Sequence, residues 1–170
     1  MKKLFILISL LSSFLDSNSQ HNRGYHQVTW RDFTGTKPAS GDTIVAASIN
    51  TELDWGTSEE FFPGADDTMT GFNAFVRFNP ENSYTTTKDP YVLKHEQGHL
   101  DIDLIVCNRA NKVAALNLRY SVPQWNDIQN YFIKMWNDLD IQYDKETNHS
   151  INHSEQERWN IWIKEQLKSK

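Results

Sequence analysis

The chain has 170 residues, of which 38% are hydrophobic and 12% aromatic, enough for one domain around one core. Its formal charge of −5 at pH 7 excludes a reading as a binder of nucleic-acid phosphates, which want a basic face. One cysteine, Cys107, excludes an internal disulfide, and its place in Leu104-Ile105-Val106-Cys107 predicts a buried, inert thiol.

Met1 to Gln20 reads as a signal peptide. Lys2 and Lys3 precede the apolar run Leu4 to Leu15, and Ser17-Asn18-Ser19 supplies small residues for cleavage. The run is too short to cross a bilayer, which takes about 20 residues. The expectation is a secreted or periplasmic protein, residues 21–170, that forms a single domain and has no membrane contact after cleavage.

The first half is strand-like. His26 to Trp30 is short and β-prone, Gly35 and Pro38 mark a loop, and Thr43 to Trp55 alternates in part and predicts a strand. Gly56 to Gly71 reads as a long surface loop whose Asp66-Asp67 pair is a solvated turn, because the spacing of a calcium loop is absent. Phe72 to Phe78 alternates aromatic with smaller or polar residues, which predicts a strand that stops at Asn79-Pro80; Asn82 to Asp89 is a polar connection.

Asp89-Pro90 then predicts the start of a helix, and no proline follows until Pro123. Its apolar residues, among them Leu93, Leu100, Ile102, Ile105 and Val106, cover more than one face, as in a helix crossing the middle of a small domain. On it lies His95-Glu96-Gln97-Gly98-His99, the H-E-x-x-H pattern. Two imidazoles four residues apart share one helix face and can converge on a cation, with Glu96 beside them to act on a water. Gly98 costs about 1 kcal/mol against alanine in a helix interior, so its missing side chain implies a close approach by another group. Ser121 with Pro123 opens a second helix, Val122 to about Asp140, with Trp125, Ile128, Phe132, Met135, Trp136 and Leu139 at three-and-four spacing. Ser154 and Glu157 form a capping-box pattern ahead of Trp159, Trp162, Ile163 and Leu167, a third helix.

A hydrolytic zinc site takes three protein ligands and an open position. Ile102 and Ile105 stand where a metzincin would have its glycine and third histidine. Asp103 is on the face of His99 but about 12 Å along the axis from His95, which suits a group outside the ligand set. The remaining supply is the polar stretch Tyr143 to Glu155, with His149, His153 and several acids; His21 and His26 are further candidates near the start.

Three blocks in order carry a resemblance: Trp30-Arg31-Asp32-Phe33-Thr34-Gly35, then His95-Glu96-Gln97-Gly98-His99-Leu100-Asp101-Ile102, then Tyr143-Asp144-Lys145-Glu146-Thr147-Asn148-His149-Ser150 with Gln156 and Trp159. On these the chain resembles the bacterial family of predicted secreted zinc-dependent proteases known as domain of unknown function 922. Leu100 replaces a phenylalanine of that pattern and Ser150 a glycine, so a positive φ at Ser150 would be strained. The resemblance implies an α+β, zincin-like fold, a small mostly antiparallel sheet packed on the H-E-x-x-H helix and two C-terminal helices. It implies Zn2+ held by His95, His99 and His149, with His153 and Glu155 as reserve ligands and Glu96 as general base. Tyr143 and Asp144 would orient a ligand or donate to an oxyanion, and Asp103 would stand behind them. The expected activity is hydrolysis of a peptide or protein substrate, with a strand edge near Phe72 to Phe78 to hold it. The rivals are a zinc amidase acting on cell-wall peptides and an exported, non-catalytic binding domain that keeps the metal for stability.

Overall fold

Helix α1, Pro90–Ala114, is the element against which the others are laid. The structure, a computed structural model, describes residues 27–39, 45–57, 68–70, 72–116 and 119–168. The signal-peptide segment, His21, His26 and the Asp66-Asp67 turn lie outside them. As expected, the Asp89 side chain caps α1 by accepting from the Tyr91 amide, and Pro90 occupies the first turn, where its missing N–H costs nothing.

The fold is α+β. Strand β1 (Ala47–Ser48) pairs with β5 (Tyr84–Thr85), β2 (Thr51–Thr57) with β4 (Phe72–Phe78), and β3 (Thr68–Thr70) with β6 (Arg119–Ser121), all antiparallel. Two helices follow, α2 (Val122–Thr147) and α3 (His153–Lys168). In β4 the alternation puts Phe72, Ala74 and Val76 inward against α1. The Asn111 side chain of α1 accepts from the Ala74 amide at 2.7 Å and donates to the Ala74 carbonyl at 2.9 Å, occupying the strand edge that faces the helix.

Two clusters of buried side chains meet on α1. Val106, Cys107, Ala110 and Ala114 pack with β4, Trp125 and Phe132, while Ile102 and Ile105 pack with Tyr143, Trp159 and Ile163. That is why the apolar residues of α1 cover more than one face. Truncating Trp125 or Phe132 to alanine would cost about 3–5 kcal/mol on the usual scale for large buried aromatics. Cys107 is buried and unpaired, and burial pushes its thiol pKa up, which agrees with an inert role.

Several expectations need correction. Residues 27–29 form no strand: the Val28 amide donates to the Gln97 side chain and the Thr29 amide to Asp32, so side chains replace a ladder. The stretch expected as one strand to Trp55 is broken at Ile49-Asn50, where the two amides leave the sheet for Glu96 and the Ser83 hydroxyl. Gly56 and Thr57 extend β2, Thr68–Thr70 is a strand, and the polar connection before α1 contains β5. The larger difference is α2, which runs past Asp140 to Thr147. Its polar composition there reads as a loop, yet Trp136, Leu139, Tyr143 and Thr147 continue the stripe at three and four, and the last two are fully buried. The start of α3 also moves: it begins at His153, and Asn152 caps it by accepting from the Glu155 amide, while Glu157 pairs with Lys94 instead of closing a box.

Gly98 has a clear packing reason. A Cβ there would lie 2.1 Å from the Tyr143 hydroxyl and 2.7 Å from its ring carbon, and that ring is fully buried and cannot swing away. Gly98→Ala is therefore expected to lower stability by about 1–3 kcal/mol, against the roughly 1 kcal/mol gain alanine brings to an open helix position. Urea unfolding measures the sign, and a stabilised variant would show that Tyr143 yields.

Candidate metal centre

His95 and His99 project from the same face of α1, as their spacing requires, and both are buried. Their Nε2 atoms are 3.2 Å apart, and Asp144 Oδ1 lies 3.1 Å from one and 3.2 Å from the other. A tetrahedral ion with bonds of about 2.0–2.1 Å holds its ligand atoms roughly 3.3–3.4 Å apart, so the three atoms form one face of such a polyhedron with little adjustment. His95, His99 and Asp144 could therefore hold a metal ion together. The Asp144 side chain is about one-third exposed, which leaves the open side of the triangle on a cavity of about 260 Å³.

Both histidines are held from behind. His99 Nδ1 is 2.5 Å from Asp140 Oδ1; an ionised carboxylate only accepts, so Nδ1 carries the proton and a neutral His99 turns the Nε2 lone pair into the triangle. His95 Nδ1 lies 2.9 Å from the buried Gln156 Oε1. The Tyr143 ring stacks on His95 with centroids 4.7 Å apart and stands edge-on to His99 at 4.9 Å. Glu96 lines the same cavity, and its Oε2 accepts from the Ile49 amide at 2.7 Å. Burial raises the Glu96 pKa, against the charges of His99 and His95 and the Ile49 bond.

The structure sorts the other candidates. Asp144, expected behind a ligand, stands in the triangle, and His149 stands outside it with Nδ1 3.1 Å from Asp144 Oδ1, lining the cavity. His149 lies beyond the end of α2 in a run of left-handed residues, Asn148, His149 and Ser150, with φ of 47°, 50° and 73°. Ser150 carries a positive φ, at a cost of order 1 kcal/mol or more. The Tyr143 hydroxyl is buried and donates to the His95 carbonyl, turned away from any substrate oxyanion. Asp103 accepts from the Trp136 indole at 2.5 Å, and burial pushes its carboxyl up to about 7. His153 stacks on Tyr91 at the surface, and Glu155 pairs with Arg158. Neither joins the group. The early block is structural: a Cβ on Gly35 would meet the Glu81 carbonyl at 2.4 Å, and Asp32 closes a turn.

Asp140 and Gln156 are the residues that sequence reasoning left without a role. Asp140 precedes Asp144 by four positions, one turn on the same face of α2, which is a usable signal once the helix is known to continue.

The two charge partners set a pH dependence. Burial opposes a charge on His99, but Asp140 and Asp144 overcome it and hold its pKa well above the ordinary value; burial likewise raises Asp144, and its bonds to the imidazoles bring it far below. In the metal-free protein His99 thus contributes stability that is full below about pH 6.5 and is lost as pH rises through its folded pKa; the Asp144 contribution is present above about pH 3.9 and is lost as pH falls. A metal must displace the His99 proton, so affinity should rise with pH up to that folded pKa, with release of about one proton per ion near neutrality. Titration of metal into weakly buffered indicator reads this directly; binding with no proton release would contradict the assignment.

Against protein-family models, curated proteins and solved structures, the chain finds no match. Among the described residues, no helix is long and apolar enough to cross a membrane.

Proposed function

We propose that the protein is a zinc-dependent peptidase of zincin-like fold, exported to the cell exterior or periplasm. The observation that carries this is the triangle of His95, His99 and Asp144 with Glu96 on the same cavity wall. Two imidazoles, one carboxylate and an open side are the donor set and geometry of a hydrolytic zinc site. A zinc ion held there by His95, His99 and Asp144 would supply Lewis acidity to a water and a substrate carbonyl. Glu96 would take the proton of the attacking water and deliver it to the leaving amine; its burial, which raises its pKa, strengthens it as a base.

An extended peptide is the substrate that the cavity wall favours. The Thr86 amide donates to the Ala46 carbonyl at 2.8 Å, so Ala46 and Ser48 turn their main-chain groups to β5, and Ala47 and Ile49 turn theirs the opposite way. The Ile49 amide reaches Glu96 on that side, and Ala47 lines the cavity beside the histidines. Among the described residues this strand, and not Phe72 to Phe78, where Asn111 occupies Ala74, borders the cavity and is the candidate for main-chain pairing with a substrate.

The test is to incubate the zinc-loaded protein with unfolded casein and, separately, with purified cell wall, each with and without chelator. Chelator-sensitive cleavage of casein is expected. Release of peptides from cell wall alone would assign an amidase, and zinc binding without turnover on either would assign a metal-stabilised binding domain.

A further inference from the structure

We infer that Gln156 is a positioning residue that decides which nitrogen of His95 faces the metal, and that Tyr143 and Gly98 exist in their places to lock it in that role. The His95 carbonyl can only accept, and the Tyr143 hydroxyl, 3.1 Å away, spends its single proton there. The phenol oxygen is then an acceptor, so the Gln156 atom 2.5 Å from it is the amide nitrogen, which also donates to Asn160 Oδ1 at 3.1 Å. That fixes the amide orientation. Its oxygen faces His95 Nδ1 at 2.9 Å, so Nδ1 carries the proton and Nε2 presents a lone pair.

With His99 oriented by Asp140, the Nε2 atoms of both histidines and Asp144 Oδ1 converge within 3.2 Å of one another, an arrangement that one cation, or in its absence one shared proton, holds together. The lock is rigid: Gln156 and Tyr143 are both fully buried, the Tyr143 ring lies 15° from parallel on the His95 ring, and only a glycine at position 98 leaves room for the phenol. A neutral amide is also a sensible choice here. Asp140 already gives His99 a carboxylate, and a second one behind His95 would add buried charge to the same site.

The inference rests on the metal site and not on hydrolysis, so its test needs no substrate. In metal-free protein labelled with ¹⁵N at histidine, the neutral His95 ring should show its proton on Nδ1. Gln156→Leu should lose that preference and weaken zinc by roughly 10–100-fold in a competition titration, the range for loss of a partner behind a ligand. Gln156→Glu keeps an acceptor toward Nδ1 and should restore both the tautomer and an affinity within a few-fold of wild type. A proton on His95 Nε2 in the wild-type protein overturns the inference, since it means that Tyr143 donates to the amide and the whole chain runs in reverse. So does a Gln156→Leu protein that binds zinc as tightly as wild type, or a Gln156→Glu protein as impaired as the leucine variant while circular dichroism shows it folded. A protein that passes all of these but cuts nothing would leave this inference standing and remove only the peptidase reading.

Discussion

Glu96→Gln should leave zinc bound with a dissociation constant within a few-fold of wild type and slow peptide cleavage by about 10²–10⁴-fold, the usual size of a general-base contribution. Glutamine has the same shape, and its carbonyl oxygen can still accept from the Ile49 amide, so the wall of the cavity is kept. Only the ability to take a proton is lost. Steady-state rates with zinc content measured on the same sample separate the outcomes. Cleavage retained within threefold would remove Glu96 from the reaction, and loss of zinc would make it a ligand.

Asp144→Ala should abolish tight zinc binding, whereas His149→Ala should retain it. The first leaves two imidazoles from a single helix, and the fall in affinity should exceed the roughly 10–100-fold that loss of an outer partner costs. The second removes only a group that reaches Asp144 from outside at 3.1 Å, so it should stay within about tenfold. Zinc content after dialysis, followed by competition with a chromophoric chelator, gives both numbers. The reverse pattern would make His149 the third ligand and Asp144 its support.

The helical histidine pair was legible because chemistry and periodicity coincide there: His95 and His99 must share a face if the segment is helical, and Asp89-Pro90 announces that it is. The strand Phe72–Phe78 and the cap at Ser121 were legible for the same reason, each being decided by neighbours in sequence. The third member of the triangle was not. Its choice depends on α2 continuing through Tyr143 to Thr147, and the signal for that is the buried stripe of Leu139, Tyr143 and Thr147, which a crowd of charged neighbours hides. Ending the helix at Asp140 makes Asp144 a loop residue and favours the histidine. Gln156 is a subtler case, since nothing in a sequence says which end of an amide points where; only the fixed carbonyl of His95 and a buried phenol do. The break of the early strand at Ile49 has the same origin, because its amide is claimed by Glu96, 47 positions away.

His95 and His99 sit on α1 while Asp144 sits near the end of α2, and the chain has one cysteine and hence no covalent tie between those helices. An ion shared by all three would be a detachable rivet joining the two, with a strength set by its free concentration. At a hundred times the dissociation constant it would add about 2.7 kcal/mol to the folded state. Wherever that ion is scarce, the proposed chemistry and part of the fastening would be lost in the same event.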